Sequence, residues 1–81
     1  MTSKEYIAEL EKNGCVVEKG TMRGQYRVSL YIDDSIYTRS IIRFKKGDML
    51  VMDTHWDGEE YWTTTSLEWF LNETMGINDF K

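Results

Sequence analysis

Proline is missing from the chain, cysteine and histidine occur once each, and no lysine or arginine stands anywhere between Asp48 and Phe80. One cysteine, Cys15, rules out an internal disulfide, and Cys15 with His55 falls short of the four ligands of a structural zinc site. Cross-links and metal are therefore not what holds this domain. No apolar run approaches the ~20 residues of a membrane span, and the charged opening MTSKEYIAELEK lacks the apolar core of a signal peptide. Together with the lone thiol, this points to a reducing cytoplasm, the host's if the chain is phage-encoded. Glycine signatures that cradle phosphates, GxGxxG and GxxxxGK[ST], do not occur. Neither does an internal repeat or a low-complexity stretch. The Asn72-Glu73-Thr74 sequon falls inside an expected helix and reads as chance.

What is there is one domain of 81 residues, near the lower end of what packing alone sustains. Three Trp, five Tyr and three Phe supply the apolar area. The net charge of −4 conceals a division: residues 1–47 carry nine basic and six acidic groups, a balance of +3. Residues 48–80 carry eight acids and no base, a balance of −8, and Lys81 returns one charge. Asymmetry of this kind speaks to partners rather than to fold.

Thr2-Ser3-Lys4-Glu5 fits a capping box, Tyr6, Ile7 and Leu10 follow at helical spacing, and Gly14 marks the end of a first helix. Cys15–Glu18 reads as a short strand. From Gln25 to Asp33, Tyr26, Val28, Leu30 and Ile32 alternate with Arg27, Ser29 and Tyr31, the signature of a half-buried strand. Asp33-Asp34-Ser35 turns the chain into a second long strand, Ile36–Lys45. A three-residue loop there sets Ile32 opposite Ile36 and Tyr26 opposite Ile42, keeping the apolar residues on one face, with Tyr31 facing Tyr37 on the other.

Lys46-Gly47 makes a two-residue turn into Asp48–Trp56, and Asp57-Gly58 makes the next, since Asp-Gly suits the positive φ of a type I′ turn. Pairing across it places Leu50, Met52, Thr54, Trp56, Glu59 and Tyr61 on one face. Met49, Val51, Asp53, His55, Glu60 and Trp62 take the other. Thr65-Ser66-Leu67-Glu68 forms a second capping box, ahead of a helix whose stripe is Leu67, Phe70, Leu71 and Met75 and which Gly76 ends. Ile77 and Phe80 either fold back on this helix or fray. The fold class is thus α+β: an antiparallel β-meander of four to five strands flanked by an N-terminal and a C-terminal helix.

Three candidate sites follow. Asp53, His55 and Glu60 fall on one expected face, and an imidazole beside carboxylates is the raw material of acid–base or metal chemistry. No nucleophile or oxyanion donor accompanies them, and a surface pair of His55 with Glu60 is the plainer interpretation. Arg27, Arg39 and Arg43, with Tyr31 and Tyr37 among them, can line a sheet face as a nucleic-acid stacking platform. The acidic balance opposes that reading, and arginine stems often simply cover apolar neighbours. The third candidate is Asp53, Asp57, Glu59, Glu60, Glu68 and Glu73 gathered on one outward patch. With Trp56 as anchor and Tyr61 and Trp69 nearby, that patch suits a basic groove on another protein.

A tiny, acidic, single-domain chain with a meander flanked by helices resembles small phage-encoded anti-CRISPR proteins, in architecture and charge rather than in any sequence motif. Those proteins bind Cas nucleases or surveillance complexes, and some imitate nucleic acid. The resemblance implies a non-enzymatic inhibitor from a phage or other mobile element, without cofactor, directed at a basic nucleic-acid-handling partner. It carries over no functional residue. A homodimer through an uncovered aromatic sheet face is the remaining association to consider.

Overall fold

The computed structural model describes residues 1–77; the Phe80 fold-back and the Asp79 charge lie outside the described residues. Helix α1 spans Ser3–Lys12, and strands β1 (Val16–Lys19), β2 (Gln25–Ile32), β3 (Ser35–Lys45), β4 (Asp48–Thr54) and β5 (Glu60–Thr65) follow. Helix α2 (Leu67–Trp69) continues as a π-helical turn, Phe70–Thr74. The strands form one antiparallel sheet in the order β1-β2-β3-β4-β5.

α1 begins and ends by its own local chemistry. The Glu5 N–H donates to Thr2 Oγ1 (3.2 Å) and the Thr2 N–H to Glu5 Oε1 (2.9 Å), completing the capping box. Bonding to Thr2, its backbone first, holds the Glu5 carboxyl below its ordinary range. At the other end Gly14 takes a φ of +92°; its N–H donates to Glu11 O and the Cys15 N–H to Leu10 O, both at 3.0 Å. That is a Schellman closure, which leaves Cys15 buried against the core. Burial pushes its thiol above the ordinary range.

The register departs from expectation at two turns and agrees at a third. Lys46 and Gly47 both take positive φ in a two-residue turn that sets Lys45 opposite Asp48, as the sequence suggests. Asp33 and Asp34 do the same, so Ile32 faces Ser35 and not Ile36. Tyr26 nonetheless lies opposite Ile42. A β-bulge reconciles the two: Tyr31 pairs with Ile36 and Leu30 with Thr38, leaving Tyr37 as the inserted residue instead of the partner of Tyr31. The tight turn and the buried face each keep their preference, and the bulge absorbs the mismatch of one residue.

Asp57-Gly58 is not a two-residue turn. The Gly58 N–H donates to His55 O (2.9 Å) and the His55 N–H to Glu59 O (2.7 Å), enclosing Trp56, Asp57 and Gly58, with Gly58 at φ +90°. A three-residue loop closed by a left-handed glycine shifts the pairing by one residue. Met52 therefore faces Trp62 and Asp53 faces Tyr61. Trp62 joins Leu50 and Met52, while Tyr61 joins Val51 and Asp53, the reverse of the expected grouping.

Every strand residue of the core lies on one face: Val28, Leu30, Ile42, Met49 and Val51. Leu10 of α1 and Phe70, Leu71 and Met75 of the second helical segment complete the same cluster, with Ile77. Both helices thus share one side of the sheet, and the other side carries no helix among the described residues. Tyr6 stacks on Phe44 (5.5 Å between ring centroids) and Tyr26 meets Phe44 edge-on (5.8 Å), tying α1 to β2 and β3.

The second helix starts one residue later than the capping-box pattern indicates. Ser66, not Thr65, is the N-cap; its Oγ accepts from the Trp69 N–H (3.1 Å), so Glu68 is not the reciprocal partner. Beyond Trp69 the chain widens, and the Met75 N–H donates five residues back to Phe70 O (2.9 Å). This wider turn brings Phe70 and Met75, both fully buried, to the same side. Replacing Ser66 by Ala should cost about 1 kcal/mol of unfolding free energy in urea titration. Thr65→Ala, which keeps the cap, should cost less.

Candidate functional site

β5 is an edge strand, entered from the tip of the β4–β5 hairpin and leaving through Ser66 into α2. The six candidate acids are all exposed and border this strand at its two ends. At the tip, Trp56 is 98% exposed, and Asp57 Oδ1 accepts from the Glu59 N–H at 3.0 Å, which fixes the loop. Glu60 begins β5 opposite Thr54, on the face without helices. Asp53 stands on the helix-bearing face instead, its Oδ1 accepting from the Thr54 N–H at 2.8 Å.

At the other end, Trp69 is 61% exposed and joins two shallow concavities. One, of about 390 Å³, is lined by Val51, Asp53, Thr63 to Ser66, Trp69 and Thr74. The second, of about 210 Å³, is lined by Ser66, Glu68, Trp69, Asn72 and Glu73. Glu68 and Glu73 thus share one concavity with Trp69, and Asp53 lines the other from the hairpin end, while Asp57, Glu59 and Glu60 lie with Trp56 at the hairpin tip. Along the chain and the register, Asp53, Asp57, Glu59 and Glu60 lie toward the hairpin tip, and Glu68 and Glu73 follow the other end of β5. None of the six makes an ion pair among the described residues, where the one salt bridge is Arg27 to Glu18 at 3.9 Å.

The expected His55 constellation does not assemble. His55 stacks on Tyr61, ring centroids 4.1 Å apart, and Glu60 points from the opposite face of the hairpin. Asp53 does share the face of His55, but no group of three His, Cys, Asp or Glu suited to a metal ion exists among the described residues. Tyr61 lies opposite Asp53. Desolvation raises its phenol above the ordinary value of 10.0, and the Asp53 charge and a hydrogen bond to Asp53 add to the rise.

Arg27, Arg39 and Arg43 do share the face without helices, and each is engaged within the fold. Arg27 reaches Glu18, the Arg39 Nε–H donates to the buried Ser29 Oγ (3.0 Å), and the Arg43 guanidinium lies 4.5 Å above the Trp62 ring. The arginine stems and half-buried Ile41, Leu50, Met52 and Trp62 seal this surface. Tyr31 and Tyr37, 40% and 46% exposed, stand at the bulged end of β2 and β3.

Trp69 carries more of the site than its sequence context indicates. In a helix its neighbour Phe70 marks the buried stripe, which sends Trp69 outward. No known protein family, curated protein or solved structure matches the chain. No helix among the described residues is long and apolar enough to cross a membrane. Asp53→Asn removes the charge facing Tyr61 and should lower that phenol's titration midpoint toward 10.0, followed by the NMR shift of its ring carbons.

Proposed function

We propose that this domain is a non-enzymatic binding module that presents the acidic β5 edge to a basic, nucleic-acid-handling protein. The observation that supports it most is the set of unpaired carboxylates. Asp53, Asp57, Glu59, Glu60, Glu68 and Glu73 are exposed and without ion pairs among the described residues, and Asp53, Glu68 and Glu73 line concavities that include the exposed Trp69. Uncompensated charge of one sign accelerates encounter with the opposite sign, and a large aromatic buried on contact supplies affinity. Trp69, set between two concavities, is the better-supported anchor; Trp56 leads from the hairpin tip. The acidic border would occupy a groove otherwise filled by DNA or RNA. With the resemblance to anti-CRISPR proteins, a Cas effector is the first partner to test and inhibition by a phage or mobile-element product the role. The arginine face carries less support for a nucleic-acid reading, because Arg39 is spent on Ser29, Arg43 on Trp62 and Arg27 lies beside Glu18.

Capture from host lysate with and without nuclease identifies a direct protein partner. Changing Asp57, Glu59 and Glu60 together to Lys should leave the melting temperature near that of the parent. It should weaken partner binding by at least about tenfold at low salt, with the difference shrinking as salt rises. Unchanged affinity would remove the hairpin tip from the interface.

A further inference from the structure

The two edges of the sheet are unlike. β1 is four residues long, carries Glu18 and Lys19, and has α1 packed beside it. Charges, shortness and a covering helix are the ordinary defences of an edge. β5 has six residues, among them no Lys, Arg or Pro, and three consecutive threonines suited to an extended chain. Its pairing with β4 runs without a bulge.

The hairpin fixes which of its backbone groups point outward. The bond from the His55 N–H to Glu59 O makes His55 and Glu59 a hydrogen-bonded pair. Antiparallel ladders alternate from there, so Tyr61, Thr63 and Thr65 turn their N–H and C=O toward β4. Glu60, Trp62 and Thr64 turn theirs away from the sheet. No strand among the described residues lies on that side.

We propose that β5 receives an extended, basic segment of the partner as a sixth strand. The segment's backbone would pair with Glu60, Trp62 and Thr64, while its Lys or Arg side chains meet Glu60 on one face and reach across Tyr61 toward Asp53 of β4 on the other. Adding a strand to an exposed edge gives affinity through the backbone and selectivity through alternate side chains. This rests on the acidic-edge reading and supplies the way the partner is held. A second copy of the chain brings no Lys or Arg to this edge. Antiparallel pairing of two β5 strands about Thr63 would set Glu59 and Glu60 beside Ser66, Leu67 and Glu68 of the other copy, acid near acid at both ends. A basic strand meets attraction at the same positions.

The probe is a short synthetic peptide of alternating Lys and Val, titrated by calorimetry at low salt with amide exchange followed by NMR. Saturation should slow exchange at Glu60, Trp62 and Thr64 by at least about tenfold. Two further peptides carry methyl groups on one or the other alternate set of backbone nitrogens, with charge unchanged. One of the two should bind at least about tenfold more weakly than the parent, because its ladder bonds are lost. Thr64→Pro removes an outward N–H at a position where an edge strand tolerates proline, and should weaken binding similarly while circular dichroism stays unchanged. Equal affinity for all three peptides, with exchange unaltered, would mean that charge alone holds the peptide. That outcome overturns strand addition and leaves the acidic-edge reading standing, which the triple lysine variant tests separately. Absence of binding at low salt, or a sedimenting dimer whose Glu60, Trp62 and Thr64 amides are already slow, would also overturn it.

Discussion

One-sided burial is the constraint on which the remainder of this structure depends. In 81 residues there is apolar material for one core, and β2, β3 and β4 offer it on a single face through Val28, Leu30, Ile42, Met49 and Val51. α1 and α2 must both go there. The π-helical turn follows from the same demand, because Phe70 and Met75 lie five residues apart and both are fully buried. Among the described residues, the opposite face then has only its own side chains for cover. Arg43 over Trp62 and Arg39 on Ser29 show how it is closed. Three of the nine basic groups of the first half, Arg27, Arg39 and Arg43, are engaged there, and the six candidate acids make no ion pair among the described residues.

Local signals with a single geometric meaning are legible in the sequence. The Thr2–Glu5 capping box, the Gly14 closure and the Lys46-Gly47 turn are of this kind. The misreadings come from signals that serve two geometries. Asp-Gly fills a two-residue turn, but it equally fills the last positions of a three-residue loop closed by a left-handed glycine. The difference is one residue, and one residue exchanges the faces of Tyr61 and Trp62. Thr65 and Ser66 both carry cap-forming hydroxyls, and Thr65 is held in β5 opposite Met49, which leaves the cap to Ser66. A bulge such as that at Tyr37 leaves no local trace, because it arises where a turn and a buried face disagree.

The candidate site was legible in its chemistry and less so in its shape. Charge counting finds the acids, and the aromatic content finds Trp56 and Trp69. That the acids divide between the hairpin tip and the surroundings of Trp69 depends on the hairpin register and on where α2 begins. That division sets carboxylates toward the two ends of an edge strand that has no strand beside it among the described residues. A groove-filling module of this shape would present a backbone ladder in its middle and carboxylates at either end, a pattern suited to an extended basic chain.

Amide hydrogen exchange along β5 in the free protein tests this central claim most directly. Slow exchange at Tyr61, Thr63 and Thr65 with fast exchange at Glu60, Trp62 and Thr64 is the alternation an open edge requires. Equal protection at all six positions would show that the edge is already covered, and would contradict the account.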